Sequence, residues 1–195
     1  MPVGKQEIDS LIQDYFGIQG AGLAAVGNLF ERRQMEKGEH LLKMRQYARQ
    51  MHFVKSGYFR MFAYSPNEEK EVTQWIARKG MFLTDLASFY FNTPARWNIQ
   101  ALSACEVFTI AKADYLSIGE YVANWPQLEK LFLTKCFITL ENRVFDQLSL
   151  TAEEKVKRLL DDSPNLFIQV PLQYIASMLG MTPETLSRVR KKWSS

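Results

Sequence analysis

The chain has 195 residues, 47% of them hydrophobic and 23% charged, and a formal net charge of +3, a composition that suits one large globular domain or two small ones with a real core. No run of ~18 apolar residues suggests a transmembrane helix, and "MPVGKQEIDSLIQDYF" has no basic stretch leading into an apolar run, so neither a membrane partner nor a secretory signal is expected and the cytoplasm is the expected location. Two cysteines (Cys105, Cys136) and two histidines (His40, His52) are too scattered for an iron–sulfur cluster or a zinc site. With no nucleophile–base arrangement and no phosphate-binding glycine loop, neither an enzyme nor a metal or cofactor is expected.

In chain order, Ile8, Leu11, Ile12, Tyr15 and Phe16 recur at helical spacing within residues 6–16. A second short helix is expected over about 20–30, with Leu23, Val26, Leu29 and Phe30. From there to about residue 113 the period changes. Short aromatic and β-branched runs such as "KGEHLL", "HFVKSGYFRMFAY", "EVTQWIARKG" and "WNIQALSACEVFTI" are parted by turn signals, the pattern of a small sandwich or barrel. Gly38, Gly57 and Gly80 fall where the backbone should turn sharply.

Helical spacing returns in "PQLEKLFLTKCFITLENRVFDQLS", from Pro126 to about Leu148. Leu133, Phe137, Leu140, Val144 and Leu148 form one apolar stripe, and Leu128, Leu131, Phe132 and Ile138 widen it. Such a helix either packs on its own domain or meets a partner helix. Thr151 followed by Glu154 has capping-box spacing and starts a new helix near Ala152. Ser149 to Thr151 is thus a candidate hinge. "LFIQV" reads as a short strand.

The last segment runs from Pro171. Ile175, Ala176 and Leu179 face inward on one helix, Gly180 suits a left-handed helix end, and Thr182 and Pro183 are a good N-cap and first helical residue. The second helix turns Leu186 and Val189 inward and Glu184, Ser187, Arg188 and Lys191 outward. From Gly180 onward four cations (Arg188, Arg190, Lys191, Lys192) face one acid, Glu184. This pattern fits a helix entering the DNA major groove N-terminus first, and it also fits a helical hairpin with a solvated basic face.

"VPLQYIASMLGMTPETLSRVRKKW" resembles the helix-turn-helix of the CRP/FNR superfamily of bacterial transcription regulators, in the short-ended group whose chains stop just past the recognition helix, near Trp193 here. "KGEHLL" resembles the early β-roll signature, "HFVKSGYFRMF" the glycine-containing hairpin and "ALSACEVFTIAKADY" the last roll strands, while Pro126–Leu148 falls where the family has its dimer helix. The resemblance implies an α+β fold. A β-roll sensor-like domain, a double-stranded β-helix of the cyclic-nucleotide-binding kind with N-terminal helices, spans residues 1–125. A dimerisation helix and hinge span 126–149, and a helix-turn-helix domain spans 150–195.

The resemblance also implies partners and sites. The partners are double-stranded DNA, a second copy of the chain meeting at Leu133, Phe137, Leu140 and Val144, RNA polymerase, and an effector of unknown identity. The E-x-x-S-R spacing of the FNR branch is matched by Glu184, Ser187 and Arg188, which implies a half-site like TTGA with Arg188 on guanine and Glu184 on the paired cytosine region. Thr182, Thr185, Lys191 and Lys192 complete the expected DNA-facing set. The family's cyclic-nucleotide signature, G-E-L followed by R-S or R-T, is degraded. Thr84 and Asp85 stand where Gly and Glu are expected, and Ala95 and Arg96 fall near the Arg–Ser/Thr pair, with Arg96 one place late and Trp97 after it. A one-residue slip turns a strand side chain to the other face. The roll therefore binds another small molecule or anion, or has no ligand, or retains a cyclic nucleotide. The competing function is a β-roll binding module whose terminal helices serve assembly rather than DNA.

Overall fold

The computed structural model describes residues 3–67 and 69–192; the expectation attached to Trp193 lies outside them. Helix α1 (Val3–Phe16) buries Ile8, Ile12 and Phe16, four residues apart, on one face. Helix α2 (Ala21–Gly27) is shorter than the expected 20–30. Phe30 instead opens strand β1 (Phe30–Met35), paired across from Ile110. That strand escaped the sequence reading because it lies at a sheet edge with only Met35 buried, so no alternation marks it.

The remaining strands are β2 (His40–Leu42), β3 (Gln50–Ser56), β4 (Phe59–Tyr64), β5 (Glu71–Ala77), β6 (Phe82–Leu83), β7 (Asn98–Ala101) and β8 (Cys105–Ala111), with helix α3 (Leu86–Phe91) between β6 and β7. They form two antiparallel sheets, ordered β1-β8-β3-β6 and β2-β7-β4-β5. Apart from the β4–β5 hairpin, successive strands alternate between the sheets, which winds the chain into an antiparallel β-roll. The β3–β4 turn depends on Gly57, at φ +84°, where an added Cβ would lie 2.5 Å from the Cys105 sulfur and 2.6 Å from the Ala104 carbonyl.

Helix α4 (Lys112–Tyr121) leads to the 25-residue α5 (Trp125–Ser149), with Pro126 in its first turn. The start of α5 closes the roll. Phe132 meets Phe16 at 4.8 Å and Phe82 at 5.0 Å between ring centres, edge to face. Helix α6 (Ala152–Asp162) begins with the expected capping box, Thr151 and Glu154 each accepting from the other's backbone N–H.

"LFIQV" is not a strand; it is a turn of helix, α7 (Leu166–Gln169). A short apolar run has no decisive period, and here Leu166, Phe167 and Val170 reach one core at helical spacing. Helices α8 (Leu172–Met178) and α9 (Pro183–Lys191) then pack together. Gly180, at φ +69°, ends α8 in a Schellman turn in which Met181 N–H donates to the Ala176 carbonyl and Gly180 N–H to that of Ser177. Val156, Ile175, Ala176, Leu186 and Val189 form the second core, which Ile76 and Leu102 join from the roll. No helix among the described residues is long and apolar enough to cross a membrane.

Candidate functional site

The outer face of α9 is assembled by its caps. The Thr182 hydroxyl accepts from Thr185 N–H at 3.2 Å and Pro183 supplies the first turn, fixing the rotation of the helix so that Leu186 and Val189 are buried. Glu184 and Arg188 are then exposed, Ser187 is half-buried, and all three line an open groove with Lys191 and Leu172. The Glu184 carboxyl is held below its usual range by its own backbone N–H and by the Thr182 hydroxyl. Thr185 lies on the flank toward α6, where Lys192 forms an ion pair with Glu153. Arg190 turns inward, its guanidinium 5.3 Å from the Phe167 ring centre.

The apolar stripe on α5 divides in two. Leu133 is half-buried against the roll core, whereas Phe137, Leu140 and Val144 are 62%, 46% and 53% exposed. Phe145 and Leu148 extend this open face at 69% and 83%. Phe145 was not singled out by the stripe, since it sits one place beyond Val144. These side chains leave an unusually long apolar face open to solvent.

In the roll, the four residues singled out for the pocket do not converge on one cavity. Thr84 donates to the Gln50 carbonyl at 3.0 Å and lines a cavity of about 140 Å³ together with Gln46, Gln50, His52 and Ile99. Asp85 is buried and its carboxylate is fully engaged. One oxygen accepts from Ser88 N–H at 3.0 Å as the cap of α3, and the other accepts from the backbone N–H groups of Arg96, at 2.8 Å, and Trp97. Ala95 is buried, with its backbone paired to Arg45 and Gln46. Arg96 is exposed, its guanidinium lying on the Trp97 ring at 4.9 Å. His52 is fully buried and bonded to the Thr109 hydroxyl at 2.9 Å; burial, aided by Arg33, pushes its imidazole down to about 3. Phe89 packs in the core against Tyr115, while Phe91 is 78% exposed.

The seam between the roll and the C-terminal helices carries residues the sequence did not flag. Arg60 is buried, with its guanidinium between the Phe62 ring (4.1 Å) and the Tyr174 ring (4.0 Å) and bonds to Thr73 and Glu71. Thr73 N–H donates to the Ser177 hydroxyl at 2.9 Å. Gln147, on α5, donates to the Met178 carbonyl at the end of α8. These partners lie up to 114 positions apart, so no local pattern announces them.

The architecture is thus a β-roll followed by a long helix and a compact helical unit. Residues 32–120 match the cyclic nucleotide-binding domain family. A candidate cyclic nucleotide binding protein from Ruegeria pomeroyi superposes with a TM-score of 0.71 at 20% identity, covering 98% of this chain and 88% of that one. The Thermus thermophilus catabolite activator protein gives 0.57 at 18% identity over 94% and 86%. Of the cAMP-bound PfPKA-R structure the chain spans only 42%, with 60% of this chain covered, a TM-score of 0.55 and 16% identity. No curated protein sequence matches the chain. The family match at residues 32–120 falls on the roll, and the chain shares its fold with solved structures that include a catabolite activator protein and the global regulator CLP of Xanthomonas campestris.

Proposed function

We propose that the protein is a dimeric, sequence-specific DNA-binding transcription regulator of the CRP/FNR type, working in the cytoplasm beside RNA polymerase. The observation that carries this reading is the outer face of α9. Glu184, Ser187 and Arg188, the E-x-x-S-R set, share one open groove on a helix whose rotation is fixed by its cap and its buried Leu186 and Val189. Arg188 suits bidentate bonding to guanine, and Glu184 suits the cytosine amino group. Lys191 within that groove and Thr182, Thr185 and Lys192 beside it are the phosphate contacts, Lys192 exchanging Glu153 for a phosphate. The exposed α5 face (Phe137, Leu140, Val144) is the seam of the two-fold dimer, joined at its upper end by Leu133.

The roll in this reading has lost its cyclic nucleotide. Three backbone N–H groups that would suit a phosphate are already satisfied by Asp85, and Arg96 points to solvent. The cavity beside Thr84 has half or less of the ~300–1,000 Å³ usual for a small-molecule site.

Selection from random duplexes tests the reading. The wild type should enrich an inverted repeat whose half-sites lie about one helical turn apart. Arg188→Ala should cost ~1–3 kcal/mol and relax the preference at one guanine per half-site. If no sequence is enriched, or Arg188→Ala leaves specificity intact, α8 and α9 serve assembly instead.

A further inference from the structure

A second cavity lies outside both the roll interior and the α9 face. It has a volume of about 270 Å³ and is bounded by the end of β5, the last turns of α5, α6, and the end of α8. Its walls are largely apolar, with Trp75, Leu159, Leu166 and Met178 among them. Its size is close to the lower limit of small-molecule sites, ~300 Å³.

The charges around it do not balance. Four cations face it, Arg78, Arg143, Lys155 and Arg158, against two acids, Asp146 and Asp162. Arg78 pairs with Asp162 at 2.8 Å and Arg158 with Asp146 at 2.5 Å. That leaves Arg143 and Lys155. Arg143, half-buried, donates to the Gln74 carbonyl at 2.6 Å and lies 4.0 Å over the Trp75 ring. Lys155 donates to the Gln147 carbonyl at 2.9 Å. Their acceptors are neutral, and a guanidinium has five N–H donors to satisfy. Burial lowers Arg143 only to about 10, so it stays cationic at neutral pH.

We propose that this seam cavity binds a small organic acid, an apolar body of aliphatic or aromatic carbon lodged between Trp75, Leu159 and Met178 with its carboxylate on Arg143 and Lys155. The carboxylate supplies the missing negative charge, and the guanidinium offers it a two-point contact. The apolar part of the walls favours a ligand with one charged end over one that is polar throughout. A bound acid touches β5 of the roll and α6 and α8 of the C-terminal unit at once, so it ties together the two parts that Arg78 and Asp162 already bridge. The site concerns binding alone and stands whether or not α9 reads DNA.

Octanoate is the probe, titrated into the full chain by calorimetry and by tryptophan fluorescence, with 1-octanol as the uncharged chain and inorganic phosphate as the bare anion. Octanoate should bind saturably, at least about tenfold more tightly than either control. Arg143→Gln should weaken octanoate about tenfold or more and leave octanol unchanged. Lys155→Gln, at a surface helix position, should act in the same direction if Arg143→Gln melts early. Trp75→Phe should abolish the fluorescence change while the binding heat persists, which locates the ligand. Failure to saturate below about 10 mM, octanol or phosphate binding as well as octanoate, or both charge variants binding like the wild type would overturn the assignment.

Discussion

Leu140→Asp is the sharpest probe of assembly. Phe137, Leu140, Val144, Phe145 and Leu148 together leave the equivalent of roughly three whole side chains in water, worth ~5–9 kcal/mol per protomer once covered. A two-fold seam counts this twice, so ~9–18 kcal/mol is set against an association cost of ~4–15 kcal/mol. A dimer in the micromolar range needs a surplus of about 8 kcal/mol, which requires a gain toward the upper end of the first range and a cost toward the lower end of the second. Asp at position 140 loses the leucine contact and puts a carboxylate into an apolar seam, at a cost of at least ~2 kcal/mol per protomer. The penalty is paid on both sides, so about 4 kcal/mol is lost and the dissociation constant rises about a thousandfold. Sedimentation at tens of micromolar should show dimer for the wild type and monomer for the variant. Because Leu140 is 46% exposed in the single chain, the far-ultraviolet circular dichroism should be unchanged. A wild type already monomeric at micromolar concentration, or a variant that still dimerises, would refute the seam.

Two other outcomes follow from the roll. Cyclic AMP should not bind with micromolar or tighter affinity, because Asp85 occupies the backbone donors of the α3 loop and Arg96 faces solvent; calorimetry giving a dissociation constant near 1 μM would contradict this. His52, pushed down to about 3 by burial from an ordinary 6.5, binds its proton less readily folded than unfolded, so its neutral form favours folding fully above pH ~6.5 and that advantage is lost as the pH falls from 6.5 toward 3, by ~1.4 kcal/mol per unit. Between pH 7 and 5 the wild type should therefore lose ~2 kcal/mol more stability than His52→Gln, measured by urea unfolding; parallel profiles for the two proteins would show that His52 does not stay neutral in the folded state.

What could be read in the sequence was whatever is written locally. The capping box at Thr151 and Glu154, and the Gly180–Thr182–Pro183 turn, each lie within a few positions, so their hydrogen bonds follow from residue type and spacing. The α7 turn and strand β1 were missed for the opposite reason. A run of five residues, four of them apolar, has no period to read, and an edge strand with one buried residue has no alternation. The α5 stripe was legible as a stripe, but not where it leaves the roll. Leu133 lies against the roll core, whereas Phe137, one turn later, is 62% exposed. The roll signature behaved similarly. The late position of Arg96 was visible, but not that Asp85 would spend its carboxylate on the backbone of the residues that follow the loop. The seam was illegible altogether. Arg60 beside Tyr174, Thr73 beside Ser177 and Arg143 over Trp75 are pairings of distant segments, and each residue alone reads as an ordinary strand or helix position. The charge imbalance at the second cavity exists only after those segments meet. Side chains whose purpose is to couple two units therefore leave the weakest trace in the chain, since the spacing that would reveal them is set by the fold and not by either unit.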